Sequence, residues 1–238
     1  MAATRVVGHR GEAWFHVSRD VTGNERDGRG WLIVAGDGEA KPRPFAGNAQ
    51  LNDEIHVSEV AAIGDAFAAF AGYSRKRQSN VVAVYDRRAK TWSRILPAAD
   101  GRQPGLLNRQ VKAMLLEGDA TLWIAGYRKG VERHNLRTKK RVLYNFGTPD
   151  CLANCMARYR TYLIAGLEGP PLGIIDLATG RAELLHPRDG IAGSYVHSLC
   201  VDGDILWIGT HGNNGGLTKL ALPALLAARF RRGPRQTP

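Results

Sequence analysis

Four segments of this 238-residue chain repeat one outline. LWIGTHGNNGGLTKLAL (206–222) and LWIAGYRKGVERHNL (122–136) each run from an apolar stretch with Trp and Ile, through a small residue and a polar break, to a Gly and a second apolar stretch. TYLIAGLEGPPLGIIDL (161–177) keeps the outline without Trp, and FAAFAGYSRKRQSNVVAVYD (67–86) keeps it with a longer break. A short strand-like run precedes each copy: VSEVAAI (57–63), VKAMLL (111–116), LANCMA (152–157) and VHSLCV (196–201). Tight polar turns, such as the Asp-Gly pair at 202–203, join run to copy, as a two-residue hairpin requires. A fourth strand follows three of the copies, at 91–96, 141–146 and 181–187.

The unit is four short strands, a to d, and the starts at 57, 111, 152 and 196 are spaced by 54, 41 and 44 residues. That period and strand count belong to an all-β fold, a β-propeller of four-stranded antiparallel blades. The N-terminal segment reads as one more blade, with strands at 5–7, 13–18, 31–35 and 40–45, so about five blades are expected, at 4–46, 55–97, 111–147, 152–187 and 196–222 of a single domain over 1–222. The last blade lacks a strand d. Residues 4–8 are a second candidate for that place, since propellers remove exposed edges by closure, and a fragment of a larger ring is the other reading. PALLAARF (223–230) is the one helical stretch, inside a basic tail that runs from 223 to 238.

DGIAGSYVHSLCVDGDILWIGTHGNNGGL (189–217) resembles the repeat of two-component-regulator-type propellers, and LWIAG with its following Gly resembles it at 122–130. The resemblance covers about 180 residues with structural motifs. It implies a sensor or scaffold module of the extracytoplasmic kind, although no kinase, receiver or DNA-binding segment accompanies it here.

Net charge is +11, and Arg supplies 25 of the 33 basic residues. Such a surface favours anionic partners. The basic clusters lack interleaved stacking aromatics or a reader motif, so nucleic acid is not the expected partner. No apolar run reaches the roughly 20 residues of a membrane span, and the N-terminus has no signal-peptide core, which makes the cytoplasm the default and the periplasm the alternative if the chain continues N-terminally. Cys151, Cys155 and Cys200 form neither a disulfide framework nor a zinc set and read as buried thiols.

The b–c connections of a propeller gather on one face around the central channel. Aligned by the preceding Gly or Thr, Tyr73, Tyr127, Leu167 and His211 take equivalent places. The expected ligand rim is Tyr73, Arg75, Arg77, Tyr127, Arg128, Lys129, Glu168, His197, His211 and Asn213. Arg and Tyr on a rigid scaffold suit a polar or anionic ligand through bidentate bonds and ring stacking. The expected function is a non-catalytic binding or interaction module, monomeric, without cofactor or metal, recognising such a ligand or a protein partner. The alternative is a lyase- or lactonase-type enzyme with a channel site drawn from His197, His211, Glu168 and Asn154. No HExxH or GxSxG motif supports it. The loop 20–28 carries Asp20, Asn24, Glu25 and Asp27, but its spacing is not that of an EF-hand, and Arg19 and Arg26 oppose a cation.

Overall fold

The computed structural model describes residues 3–17, 31–36, 43–44, 56–74, 79–97, 106–107, 110–148, 150–212 and 215–230. Its strands form five antiparallel meanders. The first holds β1 (Ala3–His9), β2 (Glu12–Val17), β3 (Trp31–Gly36) and β4 (Arg43–Pro44); the second β5 (His56–Ile63), β6 (Phe67–Ser74), β7 (Ser79–Asp86) and β8 (Thr91–Ile95). The third holds β9 (Val111–Glu117), β10 (Thr121–Gly126), β11 (Gly130–Asn135) and β12 (Arg141–Tyr144); the fourth β13 (Ala153–Tyr159), β14 (Tyr162–Leu167), β15 (Leu172–Asp176) and β16 (Ala182–Leu185). The fifth has three strands, β17 (Tyr195–Asp202), β18 (Ile205–His211) and β19 (Leu217–Ala221), and the chain then turns into helix α1 (Leu222–Phe230). Five four-stranded repeats are thus present except for the last strand d. β1 lies in the first sheet beside β2, as the first of the two sequence readings for 4–8 has it. The loop 20–28 falls outside the described residues.

The chain divides into two compact units, Met1–Leu143 and Tyr144–Pro238. In the first, the core between the second and third sheets is made by Ala69, Ala71, Val82 and Val84 against Leu122 and Ile124. In the second, Ile164, Leu172 and Ile174 of the fourth sheet meet Val196, Leu206 and Ile208 of the fifth, and α1 adds Leu222 and Leu226. Alternation along strands b and c sends successive side chains to opposite faces, so within each unit an apolar row of one sheet faces an apolar row of its neighbour. Burial of each Leu or Ile in these rows contributes about 1.5–3 kcal/mol.

Turn chemistry repeats with the strands. Gly203 takes φ 57° in the two-residue link from Asp202 to Ile205, a left-handed position that glycine occupies without steric cost. At the c–d turns, Asp86 and Asn135 each accept two backbone N–H groups through Oδ1, and Asp176 accepts that of Ala178 and the Thr179 hydroxyl. Lys90, Lys139 and Gly180 then occupy the left-handed position four residues on. Exposed ion pairs tie neighbouring a–b turns: Arg10 to Asp65 and Arg160 to Asp204, both at 2.9 Å.

The second position of strand c latches the incoming connection. In the third sheet Glu132, fully buried, accepts the Leu107 N–H with both carboxylate oxygens at 3.0 Å and lies 3.0 Å from His134 Nε2. In the fifth sheet the register puts Thr218 there, and its hydroxyl accepts the Ala192 N–H at 3.0 Å. In the fourth sheet the position is Gly173, where a Cβ would fall inside the Phe146 ring, so the incoming connection fills the space with its own side chain.

Truncating Glu132 to Ala leaves a half-buried N–H and a buried imidazole without their acceptor, and urea denaturation is expected to show a loss of about 3–5 kcal/mol; Thr218→Val removes one neutral acceptor from a half-buried donor and costs less, about 1 kcal/mol.

Burial pushes the Cys151 thiol up to about 11 and the Cys155 thiol to about 12, while Cys200 is exposed. A raised thiol pKa keeps the nucleophilic thiolate scarce at pH 8. Alkylation of the folded protein followed by mass spectrometry is therefore expected to label Cys200 rapidly and the other two only after denaturation.

Candidate functional site

A β-bulge stands at one place in every a–b pair from the second sheet onward. The register shifts between Val57 and Val60, beside Val111 between Ala125 and Gly126, between Ala153 and Cys155, and between Val196 and Ser198. The bulged strands pair there with Gly72, Gly126, Leu167 and Thr210, which makes these four equivalent. The next residue is then Tyr73, Tyr127, Glu168 or His211. Glu168, rather than Leu167, shares the place of the two tyrosines and the histidine. The sequence alignment is one residue out in the fourth sheet because it keys on Gly166, which stands one place before the position that Gly72, Gly126 and Thr210 hold. Leu167 is a core residue.

In the first unit, Tyr73 pairs across the sheet with His56 and Asn80, while Arg75 and Arg77 lie outside the described residues. Tyr127, Arg128 and Lys129 form the turn between β10 and β11. The Tyr127 N–H donates to the Gln110 carbonyl at 2.9 Å, and its side chain is 39% exposed. Arg128 adopts φ 80° and sets its guanidinium 5.5 Å from the Tyr127 ring centroid. Lys129 is half-buried. Two of the expected rim residues thus form an exposed aromatic–cation pair on a turn closed by Gly130.

In the second unit, Glu168, His197 and His211 come together around Tyr195, a residue absent from the sequence-based set. Glu168 bridges to Tyr195, and its N–H donates to the Leu152 carbonyl at 3.0 Å. Tyr195 stands directly across the β17–β18 hairpin from His211. Its ring centroid lies 6.3 Å from that of His211, edge-on, and 6.1 Å from that of His197, which sits in the bulge. Asn154 donates through Nδ2 to the Val196 carbonyl at 3.2 Å and accepts the Tyr195 hydroxyl at 3.5 Å. Asn213 lies outside the described residues. Glu168, His197 and His211 are exposed and Tyr195 is half-buried. The His211 pair has the geometry of edge-to-face aromatic contact, and the His197 ring lies tilted at 33° to Tyr195. The cluster offers one aromatic face, two imidazoles and a carboxylate to the outside, held on strand ends. Among the described residues, no three His, Cys, Asp or Glu side chains lie close enough to hold a metal ion. Hairpin register identifies Tyr195 only when the bulge is counted: with Gly209 opposite Ser198 and His197 bulged out, Val196 faces Thr210 and Tyr195 faces His211.

No protein-family model matches the chain, and no curated protein matches it in sequence. Solved structures do match in fold. The β-propeller domain of Myceliophteria thermophila Cps50 (Swd1) aligns over 99% of this chain and 70% of that one, with TM-score 0.61 and 12% identity. PorZ, a bacterial surface component of the type-IX secretion system of Porphyromonas gingivalis, aligns over 93% of this chain at TM-score 0.59 and 14% identity. The extracellular domain of a putative hybrid two-component system of B. thetaiotaomicron aligns over 92% at TM-score 0.55 and 17% identity. This chain spans 27% and 30% of those two bacterial chains. The five sheets are the blades of a β-propeller fold, and no helix among the described residues is long and apolar enough to cross a membrane.

If Tyr195 is the hub of the cluster, removing its ring must alter the magnetic environment of both imidazoles. Tyr195→Leu is expected to displace the His197 and His211 ring proton signals together in an NMR spectrum, while Tyr127→Leu leaves both in place.

Proposed function

We propose that this chain is a non-catalytic β-propeller interaction module that recognises a polar ligand or a protein partner on its b–c loop face, through residues at the b–c turns and the adjoining start of strand a. The observation that carries the reading is the exposed Tyr195–His197–His211 cluster beside Glu168, in which four residues from two neighbouring blades meet on strand ends. The Tyr127–Arg128 pair supplies a second, cationic contact of the same kind. Rigid strand ends hold these groups with little conformational entropy left to lose, which is how loop-borne binding residues gain affinity. Aromatic faces and imidazole donors suit the ring faces and hydroxyls of sugars and the backbone of an extended peptide. The fold likeness to extracellular two-component domains and to a surface component of a secretion system supports a receptor or scaffold role.

Arrays of glycans and of acidic and neutral peptides, probed with the wild-type protein and with Tyr195→Ala/His211→Ala, test this. Reproducible wild-type signals in one class, reduced at least about tenfold in a double variant whose circular dichroism is unchanged, are the expected result. Absence of any wild-type signal, or its full retention in the variant, overturns the reading.

A further inference from the structure

The fifth sheet stops one strand short of its sisters, and its last strand keeps the backbone phase of a strand that has a neighbour on both sides. Pairing alternates along β19. The Gly216 carbonyl accepts the Thr210 N–H and the Leu222 N–H donates to the Asp204 carbonyl, both at 2.9 Å, so the even-numbered residues bond inward to β18. Leu217, Lys219 and Ala221 therefore turn their N–H and C=O groups to the open side. Asn135 and Asp176 hold the place of Ala221 in the third and fourth sheets, and each donates its N–H toward strand d, to the carbonyls of Lys140 and Arg181 at 2.9 and 2.8 Å. Among the described residues no strand pairs with that side of β19.

The sister sheets also specify what a fourth strand must carry. Leu217 holds the place of Val82, Val131 and Leu172, and it is 70% exposed where they are fully buried. An apolar residue of strand d stands opposite that place in two sheets, Ile95 across from Val82 and Leu185 across from Leu172. Two positions further along strand c, Ser93 faces Val84 and Glu183 faces Ile174. In the fifth sheet that second place belongs to Lys219, exposed, with its ammonium 5.2 Å from the Trp207 ring centroid. Contact with a ring face consumes none of an ammonium's three donors, so a carboxylate opposite would gain a charge-assisted bond. Helix α1 does not take the role of the missing strand on this face. Its Leu222 and Leu226 enter the core shared with the fourth sheet, while Leu217, Lys219 and Ala221 stay exposed.

We propose that the open edge of β19 takes an extended segment of a partner polypeptide as its fourth strand. The segment lies antiparallel, with an apolar residue opposite Leu217 and an acidic residue two places earlier, opposite Lys219. Backbone bonds to three outward-facing residues supply affinity, and the alternate side chains supply choice. Lys219 is the selective element: it opposes an apolar or basic strand and rewards one acid in one register. The net charge of +11 acts in the same direction, since long-range attraction favours an acidic segment over a second copy of this chain.

The strand d of the fourth sheet, β16, supplies the probe: acetyl-SSAELLS-amide, whose Glu and second Leu take the places of Glu183 and Leu185. Two controls accompany it, the same peptide with Lys in place of Glu, and one methylated at the Glu nitrogen, which then cannot donate to the Lys219 carbonyl. Each is titrated into the full chain while NMR follows the chemical shifts and hydrogen exchange of the Leu217, Lys219 and Ala221 amides. Expected are rapid exchange of these amides in the free protein, saturable protection by the acidic peptide, and binding at least about tenfold weaker for either control. Lys219→Glu is expected to reverse the preference in favour of the Lys peptide, which a general loss of structure would not do. Amides already protected in the free chain would show the edge filled by the chain itself, and protection that rises with protein concentration alone would show a second copy there. Either result overturns the proposal, as do failure to saturate at about 10 mM, equal binding of the methylated peptide, or an unchanged preference in the Lys219→Glu variant. Tyr195 and His211 are untouched throughout, so this result is independent of the array experiment.

Discussion

One side chain on the third strand of a sheet locks that sheet to the connection delivering the chain to it. Glu132 does so through a carboxylate, Thr218 through a hydroxyl, and Gly173 by making room for Phe146. The chemistry differs while the place is constant, because the constraint is geometric. A connection crossing from one blade to the next must satisfy its backbone N–H groups or cover apolar surface where it passes the following sheet. The rows of Leu, Ile and Val between sheets then pack at a spacing that this latch helps to define. Apolar burial supplies most of the free energy, and the latch supplies register.

The repeated bulge is the second constraint, and it connects fold to site. One extra residue in strand a, or two in the second sheet, re-aims the chain at the mouth of the hairpin and leaves the next residue of strand b at the same place in these four sheets. Tyr73, Tyr127, Glu168 and His211 inherit that place. A scaffold that repeats a bulge therefore offers a set of variable positions on fixed backbones, and the residues found there are aromatic, imidazole and carboxylate rather than the apolar types required one residue earlier in the fourth sheet.

Much of this was legible in the sequence, and the reasons are local. LWIG and LWIA read as strand b because alternation and aromatic content are properties of a few adjacent residues, and Asp202-Gly203 read as a turn because of backbone preference alone. The strand boundaries fell within a residue or two for β9, β13 and β17. What stayed hidden depends on pairing. The one-residue offset that exchanges Leu167 for Glu168 appears only when Cys155 is set opposite Gly166, and Tyr195 joins the site only through its place opposite His211. Glu132 carries no local signal, because its partner, Leu107, arrives from 25 residues away. Its one distinguishing mark is comparative and depends on register: Ala83, Gly173 and Thr218 occupy the same position, and none of them is charged.

The fifth sheet shows how far residue identity and residue environment can part within one repeat. Val82, Val131 and Leu172 are fully buried at the first facing position of strand c, whereas Leu217, at the same position, is 70% exposed. Its apolar character follows the repeat, and its exposure follows from the face it occupies. The same face carries its own protection. Lys219 lies 5.2 Å over the Trp207 ring, as Arg133 lies 5.6 Å over Trp123, so each indole is covered by a cation from the paired strand whether or not the site is buried. On β19, the edge strand of a three-stranded sheet, that lysine has a second physical effect. A charged side chain on an edge opposes the unplanned addition of another strand, since pairing there would bury part of an ammonium that now rests on an aromatic face in contact with water. The same cation–aromatic pair thus recurs between strands b and c of the third and fifth sheets, and in the fifth it lies on the strand that forms the sheet's edge among the described residues.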